Sequence, residues 1–240
     1  MKPKINKDFN PDISHRLYLI RKGLYNGIRK NARELTGKLM DFGCGEKPYR
    51  GLFVHVSEYV GVDYQGEGHD HQNEQIDIFY DGKTIPFPEN TFDSVLSTEV
   101  FEHLFNLEDI LKELHRVMKP KGKLLFTCPF VWFLHEEPVD YARYTPYALQ
   151  NLLERNGFKI LRLEKTGNSV ETINQLRVVM GLSRVLNNKI TRFLYLGKAL
   201  NRLFILYTNI ITIFKTKIGL YKNHPDFYLN NIVLAEKTSI

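Results

Sequence analysis

Apolar residues recur at two periods along this chain, and the alternation between those periods predicts its architecture. Leu17, Ile20, Leu24 and Ile28 fall at helical spacing with basic residues between them, so 13–35 is predicted as a helix. Apolar runs of strand length follow at 38–42, 59–63, 76–80 and 92–97. Leu107, Ile110, Leu111, Leu114 and Val117 then make one face of a helix over 106–118, stopped by Lys119-Pro120-Lys121-Gly122. A fifth strand is expected at 123–128. Thr145 offers a helix cap, Pro146 suits the first helical position, and Leu149, Leu152 and Leu153 supply the buried stripe up to Gly157. Strands at 158–164 and 231–236 complete the set, and the polar, Gly-rich stretch 64–73 reads as loop. Strands that alternate with helices argue for an α/β fold with a parallel, doubly wound sheet.

The length of 240 residues suits one large α/β domain with an elaboration. A hydrophobic fraction of 43% with 25% charged residues is ordinary for a globular chain and excludes a disordered or fibrous class. Two cysteines, Cys44 and Cys128, make neither a disulfide framework nor a zinc cluster, which points to a reducing, cytoplasmic setting. The polar, basic start 1–11 has no apolar run of the secretory kind, so no signal peptide is expected.

Charge changes the picture in one place. The net +6 is uneven: no acidic residue stands between Glu171 and Asp226, while Arg177, Arg184, Lys189, Arg192, Lys198, Arg202, Lys215, Lys217 and Lys222 do. Such a field favours an anionic partner, although a solvated helical face explains it as well. The charge-free run 203–214 is far shorter than the roughly twenty apolar residues needed to span a bilayer. The segment is therefore expected to cap the active site or to lie at an anionic membrane surface, at the inner face of the membrane.

The chemistry gathers at the first strand–turn unit, Asp41-Phe42-Gly43-Cys44-Gly45-Glu46-Lys47-Pro48. Gly43 and Gly45 let backbone approach a ligand at the sheet's C-terminal edge. Asp63 stands roughly twenty residues on, where an acid accepts from ribose hydroxyls. A dinucleotide fingerprint wants a third small residue where Pro48 stands, and Asp41 and Glu46 would repel a pyrophosphate. An acidic turn suits a cationic ligand instead.

At these residues the chain resembles class I S-adenosylmethionine-dependent methyltransferases. The run Asp41-Phe42-Gly43-Cys44-Gly45 is similar to their motif I. Residues 85–93, IPFPENTFD, resemble their "LPFPDxSFD" stretch, and 111–123, with RVMKPKG, resembles "EIxRVLKPGG". The resemblance covers about 38–165 and implies a Rossmann-like, seven-stranded sheet, mostly parallel with an antiparallel last strand. A helical insertion would then fall between the last two strands. The corresponding division is a helical segment at 1–37, a core at 38–167 and 226–240, and an insertion at 168–225. The resemblance also implies that S-adenosylmethionine is the cofactor, with Asp41, Gly43 and Gly45 at its methionine end. Asp63 would hold the ribose, Asp77 or Asp81 would lie near the adenine, and Thr98 would be a further cofactor contact.

Glu99-Val100-Phe101-Glu102-His103 forms the next constellation. If helical, it puts Glu99, Glu102 and His103 on one face, a set able to bind a divalent cation or to serve as acid–base groups. This E-x-x-E-H pattern resembles the metal site of ubiquinone-pathway O-methyltransferases and of plant small-RNA methyltransferases, with His135 a further candidate ligand. Many relatives with "EHL" use no metal, and His103 then only closes a turn. His103 and His135 are the candidate bases for a hydroxyl acceptor. Phe130, Trp132, Phe133, Tyr141, Arg143 and Tyr144 crowd around His135 and Asp140, as a platform for a sugar or flat ring or as packing for the following helix. The string from His135 to Thr145 resembles methyltransferases associated with cell-surface polysaccharide gene clusters.

The expected reaction is methyl transfer to an O or N of a small molecule, sugar or lipid-linked glycan. The alternatives are an RNA methyltransferase, for which no appended RNA-binding module is visible, and a non-catalytic binding protein of the same fold.

Overall fold

The computed structural model describes residues 7–66, 75–186, 197–220 and 224–238. Positions 67–73 of the predicted 64–73 loop lie outside the described residues, as do Lys189, Arg192 and Lys222 of the basic stretch.

One seven-stranded sheet organises the chain, in the order β3-β2-β1-β4-β5-β7-β6. Its strands are β1 (Lys38–Phe42), β2 (Glu58–Tyr64), β3 (Ile78–Tyr80), β4 (Phe92–Thr98), β5 (Met118–Pro129), β6 (Phe158–Thr166) and β7 (Asn230–Lys237). β1 pairs in parallel with β2 and β4, β2 with β3, and β4 with β5; only β7 runs antiparallel, against β5 and β6. Strand order reverses between β1 and β4, and ligands in doubly wound sheets bind outside the strand ends at such a switch point.

The central strands are apolar on both faces because both faces are covered. Met40, Val95, Leu124, Phe126 and Val233 join one core with helices α2 (Leu107–Val117) and α3 (Pro146–Arg155). Leu39, Leu96, Leu125 and Leu234 join the other with Tyr25 and Ile28 of helix α1 (Tyr18–Asn31). Gly27 lets α1 lie this close: a Cβ there would stand 1.9 Å from Ile232 Cδ1. Thr145 caps α3 as expected, accepting the Ala148 N–H at 3.2 Å, with Pro146 at the first helical position.

Several boundaries differ from the pattern reading. α1 ends at Asn31 and continues as a single 3₁₀ turn at Ala32–Glu34, so the predicted 13–35 helix is shorter. β3 begins at Ile78, because the chain before it is tied crosswise: the Gly61 N–H donates to the Asp77 carboxylate at 2.6 Å. β5 begins at Met118, five residues early. The stop signal does end α2, but the chain re-enters the sheet at once, pairing Met118 with Phe92 before an irregularity that holds Lys121 at φ +64°.

Helices α4 (Ser169–Leu186) and α5 (Gly197–Lys217) stand between β6 and β7. They pack on each other and on the N-terminal segment. Gln175 of α4 donates to the Arg16 carbonyl at 2.8 Å, and Asn209 of α5 donates to the Ile13 carbonyl at 2.7 Å. No helix among the described residues is long and apolar enough to cross a membrane.

Candidate active site

A cavity of about 510 Å³ opens at the C-terminal edge of β1, β2 and β4, within the range of small-molecule sites. Gly43 and Gly45 line it, both in left-handed backbone at φ +70° and +44°. A Cβ on Gly43 would stand 2.3 Å from Val100 Cγ2, so both the space and the torsion require glycine. Asp63, at the end of β2, also lines the cavity. Its two oxygens accept the backbone N–H groups of Gly45 and Tyr64, each at 2.7 Å. Tyr64, Tyr80, Phe105 and Tyr141 add aromatic walls.

The other acids separate by position. Asp81 lines the cavity while its Oδ1 accepts from Lys83 and Thr84 N–H in a turn. Asp41, Asp77 and Thr98 are not part of the lining. Asp41 is buried behind the glycine turn and accepts the Tyr59 hydroxyl; burial pushes its carboxyl up to about 7. Asp77 accepts from Lys47 Nζ at 2.6 Å, which braces the turn after β1 against the start of β3.

The Glu99–His103 segment is not a helical face. Glu99 takes φ +55°, and only Phe101–His103 form a 3₁₀ turn. The reversal sends Glu99 towards Thr127 and Asn230, which donate to its two oxygens at 2.7 Å each. Glu102, His103 and His135 do converge, with one ligating atom from each lying within 4.8 Å of the others. The Glu102 side chain is fully buried, and neither of its oxygens has a hydrogen-bond partner. Burial, with Glu99 nearby, holds its carboxyl well above the usual range.

Both histidines are oriented from behind. His103 Nδ1 contacts the Val139 carbonyl at 2.9 Å, and His135 Nδ1 the Phe133 carbonyl at 3.3 Å. With Nδ1 engaged there, the Nε2 atoms of both rings face Glu102. Those Nε2 atoms stand 3.8 and 4.0 Å from Glu102 Oε1. His103 lines the cavity, and its Nε2 is buried without a hydrogen-bond partner. Arg143 clamps Asp140 through two bonds of 2.6 and 2.7 Å, and Asp140 accepts the His135 backbone N–H. Arg143 holds the Asp140 carboxyl below the ordinary range.

Pattern reading missed the supports: Tyr59 under Asp41, Lys47 on Asp77, and Thr127 and Asn230 on Glu99. None has a local signature, since each reaches its partner from another strand or loop. It also missed Glu136, which lines the cavity with its Oε2 3.6 Å from His103 Nε2.

Residues 40–126 match the methyltransferase domain family. Over 67 residues the chain is 42% identical to the ubiquinone/menaquinone biosynthesis C-methyltransferase UbiE of Blochmanniella pennsylvanica, covering 27% of this chain and 26% of that protein. Over 114 residues it is 29% identical to the sterol 24-C-methyltransferase of Pneumocystis carinii, covering 41% and 28%. The chain thus spans only about a quarter of these curated relatives. Its fold is similar to that of an S-adenosylmethionine-dependent methyltransferase structure from Mesorhizobium loti, with a TM-score of 0.53, 15% identity, and coverage of 90% of this chain and 98% of that one. With motif I on the cavity wall, residues 40–126 match a methyltransferase domain, and the seven-stranded order around them is the fold of the S-adenosylmethionine-dependent methyltransferase structure that the chain resembles.

Proposed function

We propose that this chain transfers the methyl group of S-adenosylmethionine to an O or N of a small-molecule acceptor, a sugar or lipid-linked glycan among them. One observation carries the reading: the cavity walled by Gly43, Gly45 and Asp63 is also walled by His103, whose Nε2 sits over the buried Glu102. The family cofactor supplies a methyl group on a positively charged sulfur. The chain's part is to place the acceptor in line, where proximity supplies most of the rate. Asp63 and the two glycines hold the cofactor end, and the aromatic walls position the acceptor.

An acceptor hydroxyl must also lose its proton as the new O–CH3 bond forms. His103 Nε2 is the base at hand, assisted by His135, which Asp140 and Arg143 hold in place. A positioned base contributes about 10²- to 10⁴-fold. The test is His135→Ala and His103→Gln, each measured for S-adenosylhomocysteine binding and for turnover on hydroxylated acceptors. Retained binding with turnover reduced about a hundredfold supports the roles. Unchanged turnover in both removes the histidines from the reaction.

A second reading is favoured by the partnerless Glu102 carboxylate. Glu102, His103 and His135 would hold a divalent cation, supplying a Lewis acid that lowers the acceptor's proton affinity.

A further inference from the structure

Helix α5 buries Asn201, Asn209 and Thr212 beside Ile205 and turns most of its large apolar residues outward. Asn201, Asn209 and Thr212 are buried against α4 and the N-terminal segment. Leu200, Leu203, Phe204, Tyr207, Ile210 and Phe214 are exposed, Leu203 and Tyr207 at 62% and 66%. Their spacing of three and four places them in one stripe along the helix, opposite the buried Asn and Thr.

A helix that packs on a core does the reverse. The inversion is not a free choice of rotation, because hydrogen bonds lock it. Asn209 Nδ2 donates to the carbonyls of Ile13 and His15 at 2.7 and 3.3 Å, and Gln175 on α4 accepts from Ile20 N–H and donates to Arg16. Turning α5 over would bury its apolar side and take Asn209 away from the Ile13 and His15 carbonyls. A contiguous exposed stripe of large apolar side chains marks a contact surface.

Charge selects the occupant. The stretch 172–225 holds nine Lys and Arg and no Asp or Glu, so the rest of the chain is net acidic although the whole is +6. A second copy meeting this face by two-fold symmetry would oppose like charge to like. An anionic surface would meet both features at once. We propose that α5 lies in the interface of an anionic lipid bilayer, its stripe immersed among the acyl chains and Arg202, Lys215 and Lys217 at headgroup level. The docking does not depend on the transfer reaction, and the two can fail separately.

The experiment uses the full chain and flotation with vesicles of phosphatidylcholine alone or with about a third phosphatidylglycerol. The variant Phe204→Ser/Phe214→Ser removes stripe residues whose side chains already face solvent, and thermal unfolding with S-adenosylhomocysteine checks that it remains folded and cofactor-competent. Binding to anionic vesicles, at least tenfold weaker to neutral ones and at least tenfold weaker in the variant, supports the proposal. Absence of binding at low salt overturns it. Binding that the variant retains overturns the role of the stripe. Self-association that the variant abolishes, without vesicle binding, assigns the face to a second copy instead.

Discussion

Asp63 and Gly45 are joined by a hydrogen bond of 2.7 Å from the glycine N–H to the carboxylate, which locks the glycine turn of β1 to the end of β2. The acid that faces the cavity is therefore also a brace for the loop beside it. Asp63→Ala should lose both functions. S-adenosylhomocysteine at about a hundred times its dissociation constant adds roughly 2.7 kcal/mol, raising the wild-type unfolding midpoint by about 5–10 °C. The variant should show little of that shift at the same concentration, whereas Asp63→Asn, which can still accept the Gly45 bond, should fall between. A full shift in Asp63→Ala would remove this acid from the cofactor site.

Asp41 sets a pH dependence. Its carboxyl, ordinarily near 3.8, is raised to about 7 by burial, against the Tyr59 hydrogen bond that works downward. For a raised acid, the folded state holds the proton more tightly than the unfolded one. Its contribution is fully present below about pH 4 and is lost progressively as pH climbs to about 7. Asp41→Asn keeps an acceptor for Tyr59 and cannot ionise. The two proteins should be equally stable near pH 4, and the variant more stable by up to about 4 kcal/mol at pH 8. Parallel denaturation curves at both pH values would show that Asp41 is solvated after all.

Much of this was legible in the sequence where one local signal sufficed. The β1 and β2 runs end at Gly43 and Asp63 because buried strands must finish where the ligand edge begins, and both residues line the cavity. Thr145 and Pro146 mark α3 because capping is a four-residue affair. What escaped depends on partners far along the chain. The reversal at Glu99 follows from Thr127 and Asn230, and no spacing within 99–103 encodes it. The apolar period of α5 is plain, but which way it faces is decided by bonds to Ile13 and His15, nearly two hundred residues away in sequence.

The cap on α3 gives a stability control outside the site. Thr145→Ala removes the acceptor for the Ala148 N–H and should cost about 1 kcal/mol. Thr145→Ser should cost little. Cofactor binding should be unchanged in both, and a loss of binding in either would mean that α3 reports on the cavity through the loop 130–145.

Glu102 separates the two readings of the histidine pair. Its buried carboxyl has no hydrogen-bond partner, so Glu102→Gln removes an ionisable group without opening a hole. If a divalent cation sits between Glu102, His103 and His135, Mn²⁺ or Zn²⁺ should raise the midpoint of the wild type and not that of Glu102→Gln. Chelation should then lower wild-type turnover at least tenfold, as expected for a lost Lewis acid. Without a cation, neither metal should move either midpoint, and chelation should leave turnover alone. Glu102→Gln should then be the more stable protein at neutral pH, because folding no longer holds a carboxyl above its ordinary range. Stabilisation of both proteins by the same metal would place the ion elsewhere and leave His103 and His135 as bases.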